Sequence, residues 1–491
     1  MTSLTRAAER SGTTVVEVDP RGTSQMCSGC GRIVAKDLSV RVHDCPHCGL
    51  VMDRDLNASY NILAAGRAAS ASSREPRGSQ PDPSPDRRHQ LGCHLAPPVF
   101  GNANNDDYID SRDIDLMEKL IADESLDRSA YPFLDANQDG ELDSADIEIV
   151  KKVIDKKACD LHYVDFENKV KKQSFPVSAD RICVNRYFFA EAIDILGLFN
   201  NIVLAPQKLT VDRSHMYDMS HIETAYEGGK APTTELILQN KVDLIIADSW
   251  DAKVCEPAME ADPSINTFYV DIYSYGNLVK FVEIIGLFVG ADERASQYAQ
   301  FVNDVNDYIE KGMQGQTKKK IAITYLGTTI APGSTTMECS PCSSTYLLSP
   351  LADVYYSDDK SSRNNRYTVD DEWMLKNYKV EYDAIVAMHE YTDTTKVDGT
   401  YYTPQMFNER CDLLDQKYSA IPIKADGNLH STSFFSITFG SYAHIPMIAH
   451  MLFPEVFSEE DGWNFLQQYW DDFSSAKIDV RTQGGWFDTR A

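Results

Sequence analysis

Short apolar runs alternate with longer amphipathic stretches from Arg181 to the end of the chain. The short runs are rich in β-branched residues, as buried strands are, and the stretches between them repeat apolar positions at helical spacing. The candidate strands are "RICVNRY", "VDLIIAD", "NTFYVDI", "KIAITYL" and "YDAIVAM". Strands that alternate with helices predict an α/β fold with parallel sheets and crossover helices.

A weak internal repeat divides this region into two halves. "ELILQNKVDLIIA" begins at Glu235 and "EWMLKNYKVEYDAIVA" begins at Glu372, and each has a glutamate, a short helix and an aspartate before a buried strand. One copy in each half predicts two similar lobes. The segment "NLVKFVEIIGLFVGADERASQYAQFVNDVNDYIEKGM" between them repeats apolar positions for about thirty residues, which predicts one long connecting helix. We place the N-lobe at 175–290, the bridging helix at 291–318 and the C-lobe at 319–491.

This arrangement resembles the substrate-binding proteins of ABC importers for iron siderophores, haem or cobalamin, in which one long helix bridges two lobes. The closing segment "FFSITFGSYAHIPMIAHMLFPEVF" is also similar to the end of that family. The resemblance implies a solute-binding component that holds a metal chelate between its lobes, with an ABC permease as partner and an extracytoplasmic, membrane-associated location. It further implies that Glu235 and Glu372 dock onto the permease. The alternative is two ordinary exposed glutamates at helix starts.

Ligand contacts are expected at the carboxyl ends of the strands, where open α/β sheets leave a crevice. The candidates are Arg186, Tyr187, Trp250, Tyr273, Tyr325, Met337, His389 and His430. Aromatic side chains suit a large planar or chelated ligand, and His, Met or Tyr could complete the coordination of a metal. The alternative for each candidate is a side chain that is simply packed.

Catalytic signatures were sought in the same region. It contains no nucleophile elbow, phosphate-binding glycine loop or HExxH motif, so we expect no enzyme activity. Cys339 and Cys342 form a single CxxC in "ECSPC". Its role stays open between a loop disulfide, a soft-metal site and no function.

Two acidic loops repeat at an interval of 33 residues, within "NANNDDYIDSRDIDLMEKLI" and "DANQDGELDSADIEIVKKVI". Each puts oxygen-bearing side chains at loop positions 1, 3, 5, 9 and 12, the arrangement that Ca²⁺ requires. The first set is Asn102, Asn104, Asp106, Asp110 and Asp113; the second is Asp135, Asn137, Asp139, Asp143 and Asp146, with Glu141 at the backbone-carbonyl position. Gly140 supplies the tight turn of the second loop. The first loop has Asn102 for the usual aspartate and Asp107 for the usual glycine, which predicts weaker binding there.

The single helix after each loop, together with aspartate at position 12, makes residues 101–157 resemble a type I dockerin, a small all-α, EF-hand-like module. The resemblance implies docking onto a cohesin-type partner. The alternative is that the module only stabilises its neighbour, and its internal position in the chain favours that alternative.

Four cysteines near the start of the chain have the spacing of a structural zinc site. Cys27 and Cys30 form one pair and Cys45 and Cys48 another, fourteen residues apart, and a glycine follows each pair. Four thiolates fill a tetrahedral Zn²⁺ shell. The nearby His43 and His47 are therefore expected at the surface.

The segments "TSQMCSGCG", "CPHCG" and "DRDLNASYNIL" resemble the C-terminal end of the OrfB/TnpB family of transposon-encoded, RNA-guided nucleases. In that family Asp55 would be the last metal-binding carboxylate of an RNase-H-like nuclease. Only 26 residues precede Cys27, so the other carboxylates are missing. We therefore interpret 1–65 as a zinc-ribbon fragment without nuclease activity. The rival hypothesis for the whole chain is a transposon-derived DNA-binding protein.

Composition limits that rival. The net charge is −27, yet residues 1–90 hold 12 Lys+Arg against 10 Asp+Glu, and the remainder holds 35 against 64. Phosphate binding needs clustered basic residues, so nucleic acid could bind only through the ribbon. Residues 66–100, rich in Ser, Pro and Arg, predict a disordered linker. We find no apolar run that predicts a membrane span, and no signal peptide in the chain as written.

Overall fold

The structure of the 491-residue protein is a computed structural model. It contains two compact units, Met1–His94 and Leu95–Ala491. The residues that it describes are 23–25, 34, 40–45, 51–54, 57–59, 61–62, 98–106, 108–123, 125–128, 131–166, 169–210, 217–226, 232–248, 251–270, 277–326, 333–338, 347–355, 366–389, 404–432, 440–483 and 487–488.

The first unit contains an antiparallel hairpin of strands β1 (Val42–Asp44) and β2 (Val51–Asp53). Cys45 follows β1 directly and is 1% exposed. His43 is fully buried, which corrects its expected surface position. Strand alternation explains the burial, because the neighbouring Val42 points the other way and is 50% exposed.

Two asparagines of the "DRDLNASYNIL" motif have a structural role. The side-chain amide nitrogens of Asn57 and Asn61 both donate to the carbonyl oxygen of Thr23, at 3.3 and 2.7 Å. Asn57 and Asn61 are both buried, and their spacing of four residues puts them on one side of a helical turn. They therefore tie the motif to the segment before the first cysteine pair.

The second unit begins with helices and is then built from strands and helices in alternation. Its helices are α1 (Ser111–Ala122), α2 (Ser144–Ile154), α3 (Tyr187–Ile195), α4 (Gln207–Thr210), α5 (Thr234–Gln239), α6 (Ala252–Ala261), α7 (Asn277–Val289), α8 (Asp292–Met313), α9 (Asp371–Asn377), α10 (Pro404–Lys417), α11 (Ser441–Leu452) and α12 (Glu459–Phe473). Its strands are β3 (Cys159–Val164), β4 (Val170–Phe175), β5 (Ile182–Val184), β6 (Ile202–Pro206), β7 (Glu223–Tyr226), β8 (Leu244–Asp248), β9 (Asn266–Val270), β10 (Lys319–Leu326), β11 (Ser334–Glu338), β12 (Ala352–Val354), β13 (Arg366–Asp370), β14 (Ala384–His389) and β15 (Leu429–Thr432).

Helices α1 and α2 form the module predicted from the acidic loops. Each begins with an aspartate capping box, at Asp110 and at Asp143, which satisfies backbone N–H groups of the first turn. The apolar faces of the two helices meet in one core that includes Met117, Leu120 and Val150.

Strands β3 and β4 form an antiparallel hairpin in residues 158–174, a segment that the sequence assigned to no domain. The hairpin joins the module to the first lobe. Val99 pairs with Tyr163 in an isolated β-bridge on the module side. The ring of Tyr163 lies 5.3 Å from that of Phe288 in helix α7, so the same strand is anchored in the lobe.

The N-lobe sheet is entirely parallel, in the order β7-β6-β5-β8-β9. All five residues of β8 are buried, as expected for a strand that is covered on both faces. Helices α5 and α6 pack their apolar residues on one face around Cys183, Ile245 and Cys255. The predicted crossover arrangement is therefore confirmed for this lobe.

The C-lobe sheet is mixed and has the order β13-β11-β10-β14-β15. Strands β10 and β14 are parallel, as predicted, and β15, which the sequence did not predict, is parallel to β14; β12 pairs parallel with the start of β10. Strand β11 is antiparallel to both β10 and β13, which corrects the expectation of a purely parallel sheet. The reason is chain length, because residues 327–333 are too few for the crossover that a parallel neighbour needs.

The internal repeat corresponds to equivalent structures in the two lobes. Thr233 caps α5 and Asp370 caps α9, each with a side-chain oxygen. Lys241 and Lys379 then turn the chain in the left-handed region, with φ of 50° and 62°. The next strand, β8 or β14, enters the sheet directly afterwards.

The segment expected to form one long connecting helix forms two, α7 and α8, and α8 lies within the bounds placed for the bridging helix, 291–318. Gly290 ends α7 with φ of 75°, a conformation that glycine adopts without strain. The N–H of Ala291 bonds back to the carbonyl of Gly286 at 2.7 Å, and α8 starts with acidic residues in its first turn. Helix α8 alone bridges the lobes, packing on α3 and α7 on one side and on α11 on the other. No helix in the described ranges is long and apolar enough to cross a membrane.

Candidate functional site

An ion-paired arginine lies at the carboxyl edge of the N-lobe sheet. Arg186 follows β5 by two residues, and its Nη2 lies 2.6 Å from Oδ2 of Asp251. Its Nε lies 4.0 Å from Oδ2 of Asp248, the last residue of β8. The side chain of Arg186 is 29% exposed and that of Asp248 is 3% exposed. The two aspartates thus hold the guanidinium in place while part of it faces solvent.

Asn185 links the same three elements. Its Nδ2 donates to Oδ2 of Asp251 at 2.9 Å, and its Oδ1 accepts from the backbone N–H of Asp248 at 3.0 Å. Asn185 is 1% exposed, so these buried hydrogen bonds hold Asp248 and Asp251 in place at the carboxyl edge of the sheet. Sequence analysis predicted Arg186 but missed Asn185, Asp248 and Asp251. Asp248 ends a predicted strand, which was an available signal, but its pairing with Arg186 depends on the strand order β5-β8.

A buried histidine lies at the equivalent edge of the C-lobe sheet. His389 is the last residue of β14, is 1% exposed, and packs its ring 4.9 Å from that of Phe407. Neither of its ring nitrogens has a hydrogen-bond partner among the residues that the structure describes. Burial, and then the nearby Arg410, lower the pKa of His389 to about 3, while Asp488 opposes the shift. His389 is therefore a neutral imidazole at physiological pH, with a lone pair to offer.

Thr324 lies on the same face of the neighbouring strand β10, since Ala387 is its partner in the register and His389 is two residues further on. Thr324 is fully buried, and its Oγ1 also has no hydrogen-bond partner in the described part of the chain. Buried polar atoms normally have partners, so two such groups together mark a place where a polar ligand group would be stabilised. Sequence analysis missed Thr324, because a threonine in a strand carries no signal of its own. Tyr325 is half-buried and points to the opposite face of β10.

Three other predicted contacts are packed side chains. Met337 is fully buried in the C-lobe core, where the hydroxyl of Tyr367 contacts its sulfur at 3.6 Å. Tyr187 is 6% exposed and packs edge-on against Phe188. His430 is the second residue of β15 and lies near Lys319 and Lys424 rather than at the end of the strand; burial first, and then the lysines, lower its pKa to about 3. Met337 and His430 lie in strands that the sequence did not predict, β11 and β15, so the face on which each side chain lies could not be inferred.

The remaining candidates lie outside the described residues. They are Trp250, Tyr273, Cys339 and Cys342 in the lobes, and Cys27, Cys30, Cys48 and Asp55 in the first unit. Within the described residues, no group of three or more His, Cys, Asp or Glu side chains is placed to hold a metal ion.

The second acidic loop has the internal bonding of a cation-binding loop. Asp135 accepts from the N–H groups of Asp139 and Gly140 at 3.2 and 2.9 Å, which aims its carboxylate into the loop. The two oxygens of Asp146 accept from Asn137 and Asp143 at 3.1 and 2.9 Å. Burial raises the pKa of the Asp146 carboxyl, a penalty that a bound cation would offset. The loop has the oxygen donors that a calcium ion takes, although three of its carboxylates do not converge on one point in this structure.

The first loop has the same backbone bonds but also contains a basic side chain. Asp113 accepts from Asn104 and Asp110 at 3.0 and 2.8 Å, and burial raises the pKa of its carboxyl to about 6. Arg112 bonds to Asp110, and this contact lowers the pKa of Asp110. The donor set is therefore partly occupied by a cation of the chain itself.

The module is fastened to the N-lobe beside the start of the bridging helix. Nζ of Lys156 lies 2.8 Å from Oδ1 of Asp292, the first residue of α8. Nδ1 of His162 in β3 lies 3.1 Å from the carbonyl oxygen of Ala136, inside the second loop. A cavity of about 210 Å³ lies between the module and helices α7 and α8. These contacts join the second loop to strand β3, and the residues after α2 to the bridging helix α8.

Two family models match the chain, each over a short segment. The Cas12f1-like TNB domain model matches residues 1–62, and the dockerin type I domain model matches residues 101–155. The TnpB-like protein L79 of Acanthamoeba polyphaga mimivirus is 44% identical over 64 residues, which are 13% of this chain and 12% of that protein. A putative RNA-guided DNA endonuclease of Streptomyces pristinaespiralis is 54% identical over 50 residues, 10% of this chain and 12% of that protein. The chain thus spans only 12% of the length of these curated relatives.

Solved structures match the larger, downstream part of the chain. The TroA-like periplasmic binding protein FepB from Veillonella parvula has a TM-score of 0.50 and 16% identity, over 66% of this chain and 98% of that one. A periplasmic solute binding protein from Veillonella parvula DSM 2008 has a TM-score of 0.51 and 12% identity, over 66% and 96%. The two lobes have the fold of a TroA-like periplasmic binding protein. At these identities the likeness establishes the fold alone, and the two expected lobes with a bridging helix are confirmed.

Arg186 and His389 lie at the sheet edges where open α/β folds bind their ligands. In open α/β sheets a ligand lies outside the carboxyl ends of the strands. Arg186 stands at that edge in one lobe and His389 at that edge in the other. The chain thus offers a positioned cation on one lobe and a buried neutral donor on the other.

Proposed function

We propose that the protein is the solute-binding component of an ABC importer for a metal chelate, such as an iron siderophore, haem or a corrinoid. The proposal rests on the different polar groups at the carboxyl edges of the two sheets, Arg186 on the N-lobe and His389 on the C-lobe. A bare ion needs a converging set of ligand side chains, whereas a chelate brings its own donors and needs shape and a few polar contacts. Two sheet edges that each present a few polar groups therefore suit a chelate better than a bare metal ion. In this role the protein binds and releases its ligand without chemical change.

Each edge supports a different part of that ligand. Arg186 keeps N–H donors beyond its contacts with Asp251, and a guanidinium recognises carboxylate, phenolate or hydroxamate oxygens through charge-assisted bonds. His389 offers a neutral nitrogen that accepts a hydrogen bond or completes a metal shell. Thr324, on the same face, offers a hydroxyl.

Docking onto a permease is proposed for Glu235 and Glu372. Both are exposed, and each lies in the first turn of a capped helix, α5 or α9, at the same place in its lobe. Equivalent acidic residues on two lobes suit a partner with two basic contacts. Such a partner places the protein outside the cytoplasm, at the membrane surface.

Ligand titration of the full-length protein tests the proposal. Quenching of its tryptophan fluorescence is followed with a ferric catecholate, a ferric hydroxamate, haem and cobalamin. One chelate is expected to bind saturably, and Arg186→Ala and His389→Ala are expected to weaken that ligand. Arg481→Ala is the matched control, because Arg481 forms an exposed pair with Glu460 at 2.6 Å in the last part of the chain. Absence of saturable binding to all four ligands would sink the proposal.

The metal cofactors are proposed on separate grounds. The internal bonding of the second acidic loop supports Ca²⁺. The buried Cys45 beside a hairpin, with the spacing of the four cysteines, supports a structural Zn²⁺ in the first unit. Loss of metal on treatment with a chelator, measured by inductively coupled plasma mass spectrometry, tests both.

Two other interactions have one supporting observation each. The match of residues 1–62 to the TNB domain supports weak nucleic-acid binding, which an electrophoretic shift with residues 1–94 at moderate salt would show. The match of residues 101–155 to a dockerin supports a cohesin-type partner, which calcium-dependent capture on an immobilised cohesin would show. The contacts of the module with the N-lobe favour its stabilising role over docking.

A further inference from the structure

The two acidic loops share backbone features at position 4 and in the hydrogen bonds to position 12. Position 4 of each is left-handed, with φ of 55° at Asn105 and 62° at Gln138. The position-12 carboxylates accept equivalent bonds, from Asn104 and Asp110 in the first loop and from Asn137 and Asp143 in the second. At these positions the two backbones match, and the side chains around them differ.

Position 11 is where the side chains differ most. The first loop has Arg112 there and the second has Ala145. Nη1 of Arg112 lies 2.8 Å from Oδ2 of Asp106, and Nη2 lies 2.8 Å from Oδ2 of Asp110. Nε of Arg112 also donates to both oxygens of Asp110, at 3.1 and 3.0 Å. The guanidinium thus spans loop positions 5 and 9, which a cation would otherwise bring together.

Position 1 reinforces this difference. Asn102 turns its amide nitrogen to the carbonyl oxygen of Asp106 at 2.7 Å, whereas Asp135 accepts two backbone bonds and keeps its charge facing the loop. At the five ligand positions the first loop has three carboxylates and the second has four, and the first loop alone adds a guanidinium, at position 11. Ca²⁺ affinity in such loops follows the number of charged ligands.

We infer that Arg112 is the internal counter-ion of the first loop, so that the module binds a single Ca²⁺, in the second loop. The guanidinium joins Asp106 to Asp110 and lets the first loop keep its shape without a metal ion. The module therefore has one metal-dependent half and one metal-independent half. This assignment does not depend on the ligand of the two lobes.

Equilibrium dialysis of the full-length protein against Ca²⁺, after removal of metal by a chelator, measures the number of sites. We expect one ion per wild-type chain and two per chain in Arg112→Ala and in Arg112→Gln. The reciprocal variant, Ala145→Arg, transfers the guanidinium to the second loop. It is expected to weaken the remaining site about tenfold or more.

Arg481→Ala is the control, since it removes an exposed arginine–carboxylate pair away from the loops, and it should keep one site. Circular dichroism of each variant reports folding. Two ions of similar affinity in the wild type would overturn the inference. So would a single ion in both Arg112 variants, an unchanged site in Ala145→Arg, or no saturable calcium binding at all.

Discussion

The two lobes share a scaffold and differ in how they handle polar groups. Each has a capped helix with a glutamate in its first turn, a left-handed lysine and an aspartate before a buried strand. At the carboxyl edge of the N-lobe sheet the charged side chains form ion pairs, as Arg186 does with Asp248 and Asp251. The C-lobe instead buries neutral imidazoles, of which His389 has no hydrogen-bond partner in the described ranges. A repeated scaffold thus fixes where a site lies but leaves its chemistry to single residues.

We expect acidic pH to produce the largest difference in stability between the two lobes. Burial lowers the pKa of His389 and His430 to about 3 and that of His444 to about 4, and all three belong to the C-lobe. An unfolded histidine titrates near 6.5, so below that pH the unfolded state binds more protons than the folded state. The stability that these neutral histidines contribute is fully present above pH 6.5. Below that pH the free energy of unfolding falls, by up to about 4 kcal/mol per pH unit for three such groups. Thermal unfolding between pH 7 and pH 4 measures the slope.

Hydrogen exchange at pH 5 locates the loss, and strands β10, β14 and β15 should lose protection before β5 and β8. His430→Gln removes one titrating group and should reduce the slope by about a third. An unfolding temperature that is unchanged from pH 7 to pH 5 contradicts the predicted pH dependence.

We expect the second-largest difference in ligand affinity, between variants at the two sheet edges. Arg186→Ala removes a charge-assisted contact and should weaken the ligand about tenfold to a hundredfold, whereas Arg186→Lys should recover part of the loss. The effect should shrink at high salt, because Arg186 is partly exposed. His389→Ala should weaken the same ligand with little salt dependence, because His389 is buried. Titrations at two ionic strengths measure both, and identical salt dependence in the two variants would refute the proposed division.

The aspartates before the central strands should differ in their contribution to stability. Asp243 accepts from Oγ of Ser178 at 2.5 Å and from the N–H groups of Asp180 and Arg181 at 3.1 and 3.0 Å. Asp383 accepts from the N–H of Lys320 at 3.3 Å. Asp243→Ala should lower the free energy of unfolding by about 2 kcal/mol, and Asp383→Ala by about 0.5 kcal/mol. Urea denaturation measures both, and a larger loss at Asp383 would show that the repeat is not read correctly.

The exposed glutamates should have the smallest effect on the protein itself. Glu235→Lys and Glu372→Lys should each change stability by less than about 0.5 kcal/mol and leave ligand affinity unchanged. Uptake of the chelate by cells that produce either variant should nevertheless fall, since charge reversal disturbs a basic partner surface. Glu260→Lys, on an exposed position of α6, is the matched control. Normal uptake in both variants argues against permease docking.

Sequence periodicity predicted the central strands of both sheets but missed other strands, such as β6, β11 and β15, and did not predict which strands are neighbours. The five predicted strands all lie in the two sheets, and the acidic loops precede α1 and α2 as their spacing predicted. Helical spacing continues across Gly290, which ends α7, so the spacing alone did not separate α7 from α8 within that segment. The motifs for zinc and calcium depend on spacing that is local in sequence, and both metals remain predictions.

What the sequence determined by itself is everything that depends on short-range spacing: the lobes, the repeat, the loops and Arg186 as a candidate. Only the tertiary structure decided that Asp248 and Asp251 hold Arg186, that His389 ends a strand while Met337 fills a core, and that Arg112 spans Asp106 and Asp110. The physical reason is that burial and ion pairing depend on which strands become neighbours and which way each side chain faces. Those choices follow from packing the whole chain, and local composition does not contain them.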